Sequence, residues 1–261
     1  VDKQRWGNIG LGLLAVLAVV MVVLAMTRQG GTSADAVGAP PNDPAATRTS
    51  TSAPASPSGS ARPTATTAPT KASDPSAPTA VFIGDSYAAG AGGDGTTWTG
   101  LVAEKMGWNE TNLARGGTGY VTSVSGPGAQ AACGLDSCPA YPGMVKEAAA
   151  ADPAVIVVSG GRNDGSSSVT NAAATLYLDL HKAAPKARII VVSPLWDDDP
   201  VPADLTGTKQ GVRVAANAAG VQYLDIGQPL TGRADLVAPD GVHPNAAGQQ
   251  AIAKAVLAKL K

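Results

Sequence analysis

Val81-Phe82-Ile83-Gly84-Asp85-Ser86 is the stretch that decides how this 261-residue chain is read. A short unbroken apolar run ends in Gly-Asp-Ser, the pattern of a strand covered on both faces that runs into a tight turn. In an α/β fold, ligands bind at the carboxyl ends of the strands, and a serine presented there stands where a nucleophile would. A serine hydroxyl needs a base to take its proton. The chain offers two histidines. His243 follows Asp240 by three residues, so the carboxylate can hold one ring nitrogen and fix the tautomer. Ser86, His243 and Asp240 are therefore a candidate site. His181, in Leu178-Asp-Leu-His-Lys, falls at a helix end where a cation suits the dipole, and reads as a surface residue.

Working outward, strand candidates lie at Ala80–Gly84, Glu110–Leu113, Ala154–Ser159, Arg188–Ser193 and Val221–Asp225. The third and fourth are continuous apolar runs, as buried parallel strands should be. Helix candidates alternate with them at Thr99–Met106, Pro142–Ala151, Val169–Ala183, Gly207–Ala219 and Asn245–Leu260. Alternation of this kind predicts right-handed crossovers and a three-layer α/β/α domain on a five-stranded parallel sheet.

The loops after these strands carry the polar residues. They read Asp85-Ser86-Tyr87, Asn112 to Gly119, Gly160-Gly161-Arg162-Asn163-Asp164, and Asp240-Gly241-Val242-His243-Pro244. In a parallel sheet all of them emerge on one edge. Acyl transfer forms an oxyanion that needs donors. The Ser86 and Gly117 backbone N–H groups and the Asn163 side chain can supply them, with Gly116 and Gly119 competing for the role of Gly117. Pro244 suits the first position of the last helix, which would put His243 at that helix's N-terminus.

On these residues the chain resembles the SGNH hydrolases, also called GDSL-type esterases and lipases. The first block stands as Gly84-Asp85-Ser86, followed by Tyr87 where the older motif has Leu. Gly117 matches the second block, Gly161-Arg162-Asn163-Asp164 the third, and Asp240 to His243 the fifth. The resemblance covers residues 80–261 and implies the family's flavodoxin-like fold. It implies Ser86 as nucleophile, His243 as base and Asp240 as its orienting partner. Ser86, Gly117 and Asn163 would form the oxyanion hole, Asp85 and Asp164 would brace loops, and neither a metal nor an organic cofactor would be needed.

Several features read more plainly. Gly90-Ala-Gly92-Gly93-Asp94-Gly95 has the spacing of a dinucleotide fingerprint, but it does not open directly from the strand, so a flexible lip of the site is expected instead. Asp197-Asp198-Asp199 reads as a solvated acidic loop. Trp196, and more weakly Tyr120 and Trp98, are candidates for a substrate rim, with a loop anchor the other reading of Trp196. Cys133 and Cys138, the only cysteines, read as a small loop-closing disulfide rather than a metal or redox pair. With a net charge of −1 and no basic stripe, nucleic-acid binding is not expected.

Upstream, Ile9–Met26 is an uncharged apolar run that would span about 27 Å as a helix, close to a bilayer core. Lys3, Arg5 and Trp6 precede it, which favours an N-terminus inside and a C-terminus outside. Residues 1–29 are thus expected to form a cytoplasmic tip and single-pass plasma-membrane anchor. A cleaved signal peptide and a secreted protein is the alternative. Residues 30–79, rich in Ala, Ser, Thr and Pro, form a linker that cannot offset its ordering entropy; as a coil it would reach about 40 Å. The expected protein is an extracytoplasmic serine esterase with a monomeric catalytic domain. Gly-rich loops favour a short, acetyl-type acyl group, and the tether favours an acylated surface glycan. An O-acyltransferase using the same site is the alternative. A catalytically dead glycan-binding module is a third reading, opposed by the presence of Ser86, His243 and Asn163.

Overall fold

The computed structural model describes residues 74–165 and 168–260. The expected anchor at Ile9–Met26 and nearly all of the linker lie outside the described residues. Among the described residues no helix is long and apolar enough to cross a membrane.

Five strands build the main sheet: β1 (Thr79–Ile83), β2 (Asn109–Asn112), β5 (Val155–Ser159), β6 (Arg188–Val192) and β7 (Gln222–Leu224). Their order is β2-β1-β5-β6-β7, parallel throughout. The reason is visible in the side chains, which alternate between two buried faces. Val81, Ile83, Ile156, Val158 and Val191 point into one core. Ala80, Phe82, Val157, Ile190 and Val192 point into the other. Helices α3 (Val145–Ala150), α4 (Thr170–Ala183) and α5 (Ala203–Ala218) cover the first face. Helices α1 (Trp98–Met106) and α6 (Ala246–Lys259) cover the second. The expected three-layer α/β/α domain with a five-stranded parallel sheet is observed.

From β1 the chain moves outward to β2 and then returns to β5 on the other side of β1. The loops after β1 and β5 therefore leave in opposite directions and open a crevice at the sheet's carboxyl edge. Ser86 follows β1 and Asn163 follows β5, so the reversal places both at that crevice.

Local differences from the sequence reading have clear causes. Tyr141–Met144 is a separate tight turn preceding α3, with Pro142 in its first turn and Gly143 close against Pro139; a Cβ on Gly143 would lie 2.6 Å from the Pro139 Cβ. Helix α5 starts at Ala203, four residues before the expected Gly207, with Pro202 at its cap and Asp204 in its first turn. Pro244 is not the first helical residue of α6. Asn245 is the N-cap, its side chain accepting the Gly248 N–H at 3.0 Å, while Pro244 bridges to Val237. The sequence reading also missed helix α2 (Pro127–Cys133) and the two-residue strands β3 (Val124–Ser125) and β4 (Ser137–Cys138), an antiparallel pair inserted after β2.

Candidate active site

Asp240 and His243 share a turn shaped by the carboxylate. Oδ1 of Asp240 accepts the Val242 N–H at 2.9 Å and the His243 N–H at 3.0 Å, and Oδ2 lies 2.7 Å from His243 Nδ1. Hydrogen bonds from the His243 backbone and ring and the Val242 backbone hold the Asp240 carboxyl well below the usual carboxylate range. It stays ionised and can only accept, so the Nδ1 that faces it is the ring nitrogen placed to carry a proton. The Ala238 N–H donates to the His243 carbonyl at 2.7 Å and completes the clamp.

The Ser86 loop packs directly against this turn. The Tyr87 ring meets the His243 ring edge-on, with centroids 6.0 Å apart. Gln249, fully buried in α6, accepts the Trp98 N–H at 2.9 Å and donates to the Tyr87 carbonyl at 3.3 Å. Part of the Gly90–Gly95 run, expected as a flexible lip, packs close at Gly90, Gly92 and Gly93, while Asp94 and Gly95 are exposed. A Cβ on Gly92 would lie 2.9 Å from the His243 Cβ and 3.1 Å from the Ala238 Cβ, and Gly92 itself has φ +79°. Gly84 is likewise required, since a Cβ there would meet the Ala88 Cβ at 2.5 Å. The Ser86 hydroxyl and N–H make no hydrogen bond to any described residue.

Hydrogen bonding separates the three competing glycines. The Gly116 N–H is used by Ala132 O at 3.0 Å and the Gly119 N–H by Thr122 O at 2.9 Å. The Gly117 N–H donates to no described residue. Gly117 has φ +71°, and a Cβ on it would lie 2.9 Å from Val124 Cγ2. Asn163 Nδ2 donates one hydrogen to Thr118 O at 2.9 Å, which fixes the amide and leaves its second hydrogen without a partner among the described residues. Three uncommitted donors thus belong to the loops of one crevice.

Two buried acids brace these loops, in the manner the resemblance implies. The Asp164 carboxylate accepts the Tyr120, Val121 and Thr122 N–H groups at 2.9, 3.0 and 3.1 Å. Asp85 accepts the Tyr87 N–H at 2.9 Å, and burial pushes its carboxyl up to about 6.

Residues 82–251 match the GDSL-like lipase/acylhydrolase family. The chain belongs to this family. A GDSL lipase of Mycobacterium tuberculosis is 30% identical over 193 residues, covering 67% of this chain and 78% of that protein. Two solved structures share the fold. TesA superposes with a TM-score of 0.55 at 17% identity, over 70% of this chain and 98% of that one. The psychrotrophic esterase EstA of Pseudoalteromonas sp. superposes with a TM-score of 0.52 at 15% identity, over 70% and 96%. The protein is a carboxylic ester hydrolase.

Some expected features of this GDSL-family hydrolase are corrected by its core. Tyr120 is not a rim residue. It is 1% exposed, and its hydroxyl meets the Tyr177 hydroxyl at 2.9 Å. Trp98 is fully buried and packs edge-on against Phe82. Trp196 remains partly exposed, but the Arg162 guanidinium lies 3.9 Å from its ring centroid. The acidic loop is not uniformly solvated: Asp197 is buried and pairs with Arg162 at 2.8 Å. Cys133 and Cys138 form the expected disulfide, which ties the end of α2 to β4.

Proposed function

We propose that Ser86, His243 and Asp240 hydrolyse a short-chain ester through an acyl-enzyme. The Ser86 hydroxyl gives its proton to His243 Nε2 as its oxygen attacks the ester carbonyl. The oxyanion accepts from the Ser86 and Gly117 N–H groups and Asn163 Nδ2. Collapse breaks the bond to the alcohol, which leaves with the proton from His243. Water then gives a proton to His243, attacks the acyl carbon, and releases the acid with Ser86 restored. Asp240 keeps the imidazole oriented and stabilises its cation. The observation that carries this reading is the 2.7 Å contact of Asp240 with His243 Nδ1, in a turn packed on the Ser86 loop.

The loops beside Ser86 are rich in Gly and Ala and poor in large aliphatic residues. That supports an acetyl-sized acyl group. The disulfide supports an oxidising compartment, and together with the Ile9–Met26 run it supports a domain tethered outside the membrane and acting on an acylated surface glycan. The test is hydrolysis of p-nitrophenyl esters of increasing chain length, with Ser86→Ala as control. Activity highest on acetate and abolished by Ser86→Ala is expected. Activity that survives Ser86→Ala overturns the site, and activity that rises with chain length overturns the short-acyl reading.

A further inference from the structure

Arg162 and Tyr87 lie outside the proposed triad and oxyanion hole, yet they join four loops of the crevice. Arg162 is the variable residue of the Gly161-Arg162-Asn163-Asp164 block, and Tyr87 follows Ser86. Arg162 Nη2 pairs with the buried Asp197 at 2.8 Å, which brings in the loop after β6. Its guanidinium lies over two rings, 3.9 Å from the Trp196 centroid and 5.3 Å from that of Tyr87. Nη1 donates to the Tyr87 hydroxyl at 3.0 Å. The hydroxyl has one proton, and it donates that proton to the Val242 carbonyl at 2.6 Å. Burial pushes the Tyr87 phenol far above its ordinary range, so the donor keeps its proton.

The Val242 carbonyl belongs to the peptide unit whose nitrogen is that of His243. That unit is gripped at both ends: the Tyr87 hydroxyl holds its oxygen, and Asp240 Oδ1 holds its N–H. The backbone that carries the proposed base is therefore referenced to the serine loop through Tyr87, and Tyr87 to the β6 loop through Arg162. Asp197 balances the guanidinium charge, so Arg162 is placed to hold a neighbour rather than to bind an anionic substrate.

We propose that Tyr87 and Arg162 are positioning residues that set the His243 imidazole against Ser86, through the chain Asp197–Arg162–Tyr87–Val242. The proposal rests on the reading of Ser86 and His243 as nucleophile and base. It also explains why Tyr, rather than the Leu of the older motif, follows the serine here: a leucine has no hydroxyl to reach Val242.

The test is steady-state hydrolysis of p-nitrophenyl acetate by Tyr87→Phe, Arg162→Met with Asp197→Asn, and the combination of all three substitutions. Tyr87→Phe keeps the ring and removes only the hydroxyl. Its kcat is expected to fall about tenfold or more, as small displacements of catalytic groups do, with KM within about twofold and the unfolding midpoint nearly unchanged. Removing Arg162 and Asp197 together avoids a lone buried charge and is expected to lower kcat similarly. The combined variant should be no worse than the poorer of the two, because both act through one hydrogen-bonded chain. An unchanged kcat in Tyr87→Phe, a rise in KM alone, or losses that multiply in the combined variant would overturn the proposal. Ser86→Ala measured in parallel separates the two failures. If it is inactive while Tyr87→Phe is fully active, only the positioning role falls; if it is active, the reading of the site falls first.

Discussion

Gly119 and Asp164 are fitted to each other: the space a side chain at 119 would need is filled by the Asp164 carboxylate. A Cβ at Gly119 would lie 2.4 Å from Oδ1 and 2.5 Å from Oδ2. That closeness lets the carboxylate collect the Tyr120, Val121 and Thr122 N–H groups just beyond the Gly117 turn. Gly119→Ala is therefore expected to destabilise the domain by about 1–3 kcal/mol through overpacking, read by denaturant unfolding. Its kcat should fall as well, because the loop that carries the Gly117 N–H must move.

Asp240→Asn should separate catalysis from stability. Asp240 is half exposed, so solvent screens its pairing with His243 and little stability should be lost. The amide can no longer hold the imidazole as an ionised carboxylate does. A fall in kcat on the order of 10⁴-fold is expected, with an unfolding midpoint close to that of the parent. A kcat within twofold of the parent would remove Asp240 from the mechanism.

Asp85 gives stability a pH dependence of definite sign. Its folded value, pushed up to about 6 by burial, lies above the ordinary 3.8. Between these values the folded chain keeps a proton that the unfolded chain has lost. Stability contributed by protonated Asp85 is therefore full below about pH 4, is lost as pH rises towards 6, and is flat above. The loss is of order 3 kcal/mol. Burial shifts Glu110 in the same direction, whereas Asp240, held low, acts only at more acid pH. Unfolding from pH 4 to 7 should show a flatter profile for Asp85→Asn than for the parent; parallel profiles would exclude this assignment.

The disulfide stands next to the loop that carries Gly117. Cys133 follows Ala132, whose carbonyl accepts the Gly116 N–H. Replacing both cysteines with serine should cost about 2 kcal/mol, the order expected for so short a loop. Hydrolysis should weaken too, since the Gly116–Gly117 turn loses a fixed support. Thiol reduction of the parent, followed by the same two assays, should reproduce both effects.

The parts legible in the sequence share one property: each is encoded locally. β5 and β6 announce themselves because burial on two faces demands uninterrupted apolar residues. The Asp240–His243 pair is legible because three residues of separation suffice for a turn to join them. Strands β3 and β4 were missed because two-residue strands have no periodicity to read, and helix α2 because its seven residues make only about two turns. Tyr120 was misjudged because a tyrosine after Gly119 looks like a rim residue until Tyr141 and Tyr177 enclose it. Asp197 looked solvated within an acidic run, since its partner Arg162 is 35 residues away.

By itself, then, the sequence determined the layers, the sheet edge and the residue types able to do acyl chemistry at that edge. Strand burial and turn geometry act over a few neighbouring residues, so the order of residues suffices for them. Tertiary structure decided that, among the described residues, Gly117 rather than Gly116 or Gly119 keeps an uncommitted N–H, and that Tyr87 and Arg162 join the serine loop to the histidine turn. Those outcomes depend on which partners consume each donor and which atoms fill each space, and such partners meet only when the sheet brings distant loops together.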